Sequence, residues 1–193
     1  MIRNIWAVGR NYADHAVEMK ASLPQSPLIF LKAGSCVTED TSITLPSWST
    51  EIHHEIELAL KLNDQLEFSH WGLALDLTER KIQSEAKKSG VPWTLAKSFT
   101  GACPLSPLHP FTDFAELENL EIELMVNGES RQRSALNQMI FKPRVLLEFI
   151  KTHFPVQPGD LILTGTPAGV AAVKPGDHLE ASLGSVKQIW KIN

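Results

Sequence analysis

The residues best suited to chemistry in this chain are Glu55 and Glu57, in the run His53-His54-Glu55-Ile56-Glu57-Leu58. Side chains two apart in a strand project from one face, roughly 6.5–7 Å apart, and two carboxylates so placed can converge on a hard cation that takes oxygen ligands. The same spacing also describes the solvated face of an edge strand. Asp76 weighs against that second use. It follows the apolar run Trp71-Gly72-Leu73-Ala74-Leu75, on the face of Gly72 and Ala74, whose small side chains are expected to leave open space beside it. A carboxylate in such a setting must be paired, hydrogen-bonded or bound to metal. Its alternative use is to cap a helix starting at Thr78.

Three further segments carry reactive groups. His15 and Glu18 stand three apart in Asp14-His15-Ala16-Val17-Glu18, so a helix there brings imidazole and carboxylate onto one face. The carboxylate can orient the ring as a general base; an exposed helix pair is the plainer alternative. Lys97 is a cation in the otherwise uncharged Trp93-Thr94-Leu95-Ala96-Lys97-Ser98-Phe99. It suits neutralisation of a substrate carboxylate or a developing enolate. Leu163-Thr164-Gly165-Thr166-Pro167-Ala168-Gly169 offers amides and hydroxyls that could cradle an anion, and it lacks the Gly-Lys-Ser/Thr of a P-loop.

Strands are expected to position these groups. Ile52, Ile56, Leu58 and Leu60 alternate with His53, Glu55, Glu57 and Lys61, giving one strand over Glu51–Lys61. Glu121–Val126 runs into Asn127-Gly128, a hairpin signal, and then Glu129–Arg133. Pro158-Gly159-Asp160 and Pro175-Gly176-Asp177 are turns leading into apolar runs. Helices are expected over Ala13–Lys20, over Thr78–Ser89 with a stop at Gly90, and over Lys142–His153, with Val145, Leu146, Phe149 and Ile150 at helical spacing. Strands dominate without regular strand–helix alternation. This predicts an α+β fold, a mixed β-sandwich roll with a few short helices, in a single domain spanning residues 1–193.

The formal charge of −4 and pI near 6.0 give no electrostatic reason to expect nucleic acid. No apolar run reaches the roughly 18 residues of a membrane helix, and the N-terminus does not read as a secretory signal. Cys36 and Cys103 lack metal-type spacing, so reduced thiols and a cytoplasmic location are expected.

Taken in order, the segments resemble the fumarylacetoacetate hydrolase family, and most nearly its small single-domain acylpyruvate hydrolases and oxaloacetate decarboxylase/tautomerases. The resemblance rests on Gly9-Arg10-Asn11-Tyr12-Ala13-Asp14-His15, Ile29-Phe30-Leu31-Lys32, His54-Glu55-Ile56-Glu57-Leu58 and Leu75-Asp76-Leu77-Thr78-Glu79-Arg80. It continues through Trp93–Phe99, Met139-Ile140-Phe141 and Gly159–Pro167. It implies Mg²⁺, with Mn²⁺ or Ca²⁺ as alternatives, on Glu55, Glu57 and Asp76. It further implies His15 and Glu18 as a water-activating dyad, and Lys97 as the active-site lysine. Arg10, Tyr12, Arg80, Gln83, Gly165 and Thr166 would bind substrate, and the chain would form a homodimer. The implied activity is C–C bond hydrolysis, decarboxylation or keto–enol tautomerisation of small 2-oxo acids such as acylpyruvates and oxaloacetate. Two alternatives stand beside it: an isomerase/decarboxylase of 2-hydroxy-dienedioates, and a non-catalytic metal-bound β-rich binding protein.

The chain departs from the family pattern in three places. The segment Asn63–His70 is short, as though a helix beside the metal strands were trimmed. Lys81 replaces a common acidic residue, and Ala33-Gly34-Ser35 follows Lys32 where proline is usual.

Overall fold

The computed structural model describes residues 2–18 and 22–193. Its strands are of two kinds, and the apolar pattern tells them apart. Asn4–Gly9 is apolar on both faces: Ile5 and Ala7 enter the main core, while Trp6 and Val8 enter a second one. A strand so patterned belongs inside a sheet covered on both sides. It lies between Leu161–Leu163, parallel to it, and Leu28–Ala33, antiparallel. The full six-stranded order is His109–Pro110, Phe68–Leu75, Ile56–Leu62, Leu161–Leu163, Asn4–Gly9, Leu28–Ala33.

The second kind alternates strictly. Ile122, Leu124 and Val126 face inward from Glu121–Val126, and Leu179, Ala181 and Leu183 do so from His178–Leu183. These strands belong to a five-stranded sheet ordered Glu129–Ala135, Glu121–Val126, His178–Leu183, Val186–Ile192, Ser42–Ile43. Its apolar face packs on the first sheet, against Ile56, Leu58, Leu60, Leu73 and Leu75. Truncating one of these fully buried leucines to alanine costs about 2–5 kcal/mol. The result is the expected α+β sandwich, with short helices at its margins.

Turn chemistry follows the sequence. Asn127 and Gly128 both take positive φ (54° and 82°), closing the hairpin between Glu121–Val126 and Glu129–Ala135. After the first Pro-Gly-Asp turn, buried Asp160 accepts hydrogen bonds from Asn4 N, Trp6 Nε1 and Gln157 N, locking the end of Leu161–Leu163 to Asn4–Gly9. Pro143 opens the Pro143–His153 helix, whose Leu146, Leu147 and Ile150 seal the outer face of the six-stranded sheet over Trp6, Val8 and Ile162. Val145, expected on that face, is half exposed instead; the inward stripe runs 143, 146, 147, 150.

Other expectations are corrected. The Glu51–Lys61 strand is broken at Glu55 into Ile52–His54 and Ile56–Leu62. Neither face of Ile56–Leu60 is wet, because both faces of this sheet are covered. The second helix spans Arg80–Ser89 and is capped by Glu79, whose Oε2 accepts from Ile82 N at 2.6 Å, so neither Thr78 nor Asp76 caps it. Gly90 ends it at φ 69°, as expected. The described part of the first helix is Ala13–Glu18; Met19 and Lys20, where it was expected to end, lie outside the described residues. Asn63–Glu67 is a tight turn at the end of the Ile56–Leu62/Phe68–Leu75 hairpin remote from Glu57, so the short segment does not border the carboxylates. Gly34 packs where a Cβ would come within 2.4 Å of Ile2 O, which explains why a glycine stands in that turn. No helix among the described residues is long and apolar enough to cross a membrane.

Candidate active site and metal centre

Three elements end at one place. Ile56–Leu62 and Phe68–Leu75 pair with Ile56 opposite Leu75, and Asp76 N donates to Glu55 O at 2.8 Å, continuing the pairing past the strand break. Glu55 and Asp76 therefore face each other across adjacent chains, with Glu57 two residues on. Leu161–Leu163 flanks the first strand from the other side. Thr164 there donates N–H and Oγ–H to Leu58 O, and Gly165 N donates to Glu57 Oε2 at 2.6 Å. Gly165 has φ 97°, and a Cβ would lie 2.7 Å from Asn11 Cβ, so only glycine permits this approach.

The three carboxylates are almost wholly buried, each offering an oxygen within 4.8 Å of the others. Two lysines reach them. Lys97 Nζ donates to Glu55 Oε2 at 2.9 Å and Asp76 Oδ2 at 2.5 Å, from the short helix Thr94–Lys97. Lys32, buried completely, donates to Asp76 Oδ1 at 2.5 Å and to Ala102 O at 2.9 Å. Arg80 Nη2 donates to Glu55 Oε1 at 2.5 Å, Nη1 to Gln83 Oε1, and Nε to His53 Nδ1.

This pairing divides the carboxyls. Burial alone would push Glu55 up, but Lys97 and Arg80 hold it below the usual carboxylate range. No described lysine, arginine or histidine pairs with Glu57; burial and then the charges of Asp76 and Glu55 push it well above that range. Burial opposes the Lys97 charge, yet Asp76 and Glu55 outweigh it and raise the ammonium.

A pocket of about 40 Å³ opens over the cluster, lined among others by Arg10, His15, Arg80, Gln83, Lys97 and Thr166. His15 Nδ1 lies 3.0 Å from Glu18 Oε2, and Glu18 Oε1 accepts from Gly169 N at 3.0 Å. The loop's amides at 165 and 169 thus serve the chain's own carboxylates rather than an external anion.

The sequence comparisons agree with this geometry. The domain described as fumarylacetoacetate (FAA) hydrolase C-terminal matches residues 4–191. The chain belongs to the fumarylacetoacetate hydrolase family. Among its relatives, Rattus norvegicus "Oxaloacetate tautomerase FAHD1, mitochondrial" is 40% identical over 195 residues, covering 95% of this chain and 88% of that protein. Dictyostelium discoideum "Oxaloacetate decarboxylase, mitochondrial" is 39% identical, covering 94% and 88%. The structure of fumarylpyruvate hydrolase from Pseudomonas aeruginosa in complex with Mn²⁺ and pyruvate superposes with a TM-score of 0.90 at 29% identity, covering 99% and 89%.

The family's oxygen-ligand metal chemistry can be tested against the residues present. Three buried carboxylates with converging oxygens form a hard donor set suited to Mg²⁺ or Mn²⁺. Glu57, without an ion-pair partner among the described residues and repelled by Asp76 and Glu55, is the group a cation would relieve. The residues fit.

Several expected site residues lie elsewhere. Tyr12 is buried, bridges Met139 and lines a separate depression with Asp14, Arg133 and Gln138; burial and the Glu57 charge push its hydroxyl pKa up. Gly165 does not line the pocket, its amide being committed to Glu57. Gly72 leaves no space beside Asp76, since a Cβ there would meet Leu108 and Ser106. Asp76 is reached instead by the two lysines.

Two buried residues carry contacts that the sequence reading did not assign. Lys32 enters the sequence only as the last residue of Ile29-Phe30-Leu31-Lys32, a segment of the family resemblance with no role given to the lysine. Gln132, wholly buried, links the sheets: its Oε1 takes Ile56 N and faces His54 Nδ1, and its Nε2 donates to Thr166 Oγ1 (2.7 Å) and Pro167 O (2.8 Å). In sequence it reads as an outward position of a polar strand, Glu-Ser-Arg-Gln-Arg; its burial is set by the partner sheet, which no local signal announces.

Proposed function

We propose that this chain is a divalent-metal-dependent enzyme of small 2-oxo acids, acting first as a keto–enol tautomerase of oxaloacetate, with decarboxylation on the same site. The observation that carries the reading is the convergence of Glu55, Glu57 and Asp76 beneath a pocket whose wall presents His15. The tautomerase and decarboxylase named among its relatives support the substrate class. A Mg²⁺ or Mn²⁺ ion held by the three carboxylates would supply a Lewis acid for the 2-oxo group; Ca²⁺ also suits an all-oxygen set.

The protein's own groups handle the protons and the orientation. With Nδ1–H donated to Glu18, His15 keeps the Nε2 lone pair as its base. It takes a proton from C3 of the keto acid; the C–H pair becomes the C2–C3 double bond, and the carbonyl π pair moves to oxygen. Returning that proton to the oxygen completes the enol. Two of the three Lys97 donors are held by Glu55 and Asp76, leaving one for an oxygen that gains charge. Because Gln132 donates to Thr166 Oγ1, the threonine hydroxyl keeps its hydrogen for a substrate carboxylate.

A second reading, hydrolysis of acylpyruvates, is favoured by the anchoring of Glu18 on Gly169, which fixes the dyad as water activation requires. His15 would take a proton from water, whose oxygen attacks the distal carbonyl. The C–C pair leaves on the pyruvate carbon and is protonated there, giving a carboxylic acid and pyruvate. Assembly as a homodimer is part of the proposal.

The test is turnover of oxaloacetate and acetylpyruvate side by side by the Mg²⁺-loaded protein. Faster keto–enol conversion of oxaloacetate supports the first reading, and faster acetylpyruvate cleavage the second. Turnover of neither, with Mg²⁺ bound, would make the chain a binding protein.

A further inference from the structure

The pocket over the carboxylates is too small to hold a whole substrate. At about 40 Å³ it admits roughly three water-sized groups, enough for the reacting end of a 2-oxo acid. A second cavity, of about 280 Å³, adjoins it and shares four of its walls: Arg10, Arg80, Gln83 and Lys87, with Ser84 added. An apolar cavity of about 300 Å³ also adjoins the inner pocket, at Leu28, Phe30 and Trp93, so a charged far end is suited to the outer cavity at Arg10 and Lys87 and an apolar one to the apolar cavity.

The lining of the outer cavity is one-sided. Two guanidiniums and an ammonium face it, together with an amide and a hydroxyl, and no carboxylate lines it among the described residues. Arg80 already pairs with Glu55, but neither Arg10 nor Lys87 has an ion-pair partner among the described residues. Arg10 has φ 60°, in the left-handed region that favours glycine. Lys87 Nζ lies 5.1 Å from the centroid of the Trp93 ring, in cation–π contact with a side chain that also lines the inner pocket. Burial first, and then the charges of Arg80, Lys97 and Arg10, push the Lys87 pKa down to about 8, although the residue keeps an exposed face.

We infer that the outer cavity is a subsite for a second carboxylate, and that Lys87, with Arg10, selects dicarboxylic over monocarboxylic 2-oxo acids. The inference rests on the 2-oxo acid reading and adds the substrate's far end to it. An anion placed there would meet the donors of Arg10 and Lys87, which no described side-chain carboxylate occupies, and charge-assisted hydrogen bonds are the stronger kind. The inner pocket orients the 2-oxo head in either class of substrate; the outer one tells them apart.

Two unreactive ligands isolate the far end. 2-Oxoglutarate and 2-oxopentanoate share head and length and differ only in a terminal carboxylate or methyl. Calorimetric titration of the Mg²⁺-loaded protein should give about tenfold or greater preference for 2-oxoglutarate, falling as salt is raised. Lys87→Met should remove most of that preference by weakening 2-oxoglutarate alone, and Lys87→Arg should restore it. Equal affinity of the wild type for both ligands would overturn the subsite and leave the 2-oxo acid reading intact, as would a Lys87→Met variant that weakens both ligands equally or neither. Binding of neither ligand would overturn both.

Discussion

The floor of the site and its outer rim are both rich in charge, yet they are built on opposite rules. At the floor, Glu55, Glu57 and Asp76 meet Lys32, Lys97 and Arg80 under nearly complete burial, and every group but Glu57 has an opposite charge within hydrogen-bond reach. At the rim, Arg10 and Lys87 stand without an ion-pair partner among the described residues, beside an exposed cavity. Buried charges are costly unless paired, so the floor must be internally balanced for the chain to fold. Solvated cations at the rim carry no such requirement and are free to answer to a ligand. On the proposed reading the difference separates two tasks: the floor would fix the chemistry, and the rim would choose the molecule.

Substitutions at the two places should therefore fail in different ways. The largest effect is expected at the floor. Glu57→Gln removes the one carboxylate of the cluster that no described cation pairs and should weaken Mn²⁺ binding by at least about a hundredfold, read by calorimetry, with the fold kept. Unchanged Mn²⁺ affinity would detach the cluster from metal binding. Next, His15→Ala should lower turnover by about 10²–10⁴ while leaving Mn²⁺ affinity within about threefold, since the ring touches Glu18 and not the carboxylate cluster. A parallel loss of metal would assign the ring to the floor.

Stability should separate the regions as sharply. Lys32→Met strips a buried cation from Asp76 and should cost about 3–5 kcal/mol, whereas Lys87→Met should stay within about 0.5 kcal/mol, both read by urea unfolding of the metal-free protein. Equal losses would erase the distinction between paired interior and open rim.

The smallest effect concerns the helix that carries Arg80 and Lys87 to the rim. Burial would raise the capping Glu79 carboxyl, but hydrogen bonds from Ile82 N, Thr50 and Glu51 N lower it. A depressed carboxyl stabilises the fold above its unfolded value, and that stability is lost as pH falls through the folded value. Glu79→Ala should thus cost about 1–2 kcal/mol at pH 7, and the gap from wild type should narrow as pH drops below about 4. A gap constant down to pH 3 would rule out the ionised cap.

How far the sequence spoke differs between the same two regions. The floor's acidic half was legible only in combination: the strand spacing of Glu55 and Glu57 also fits a solvated face, and Asp76 with the order of the family segments decided for a site. Of the basic half, Lys97 was legible as a lone cation in an uncharged segment and Arg80 through the family resemblance, but Lys32 was not. Lys32 lies in Ile-Phe-Leu-Lys-Ala, where only the packing of Asp76 and Ala102 reveals why a lysine is buried. Gln132 was invisible for a similar reason: its four contacts come from segments 34 to 78 residues away. The strand break at Glu55 escaped periodicity because a single irregular residue leaves the alternation of Ile52 through Leu60 unchanged. At the rim, Arg10 and Arg80 were legible through the family resemblance, while Lys87 looked like any surface lysine near a helix end.

On the proposed reading, metal held by the three carboxylates makes this chain a catalyst of 2-oxo acids. The enol absorbance of oxaloacetate can be followed with Mg²⁺-loaded wild type, with the same protein in EDTA, and with Glu57→Gln. Rapid enol loss is expected for the loaded wild type and the uncatalysed rate in EDTA, restored by excess Mg²⁺, with Glu57→Gln near background throughout. Undiminished enol loss in EDTA or in Glu57→Gln would overturn metal-dependent catalysis on these carboxylates.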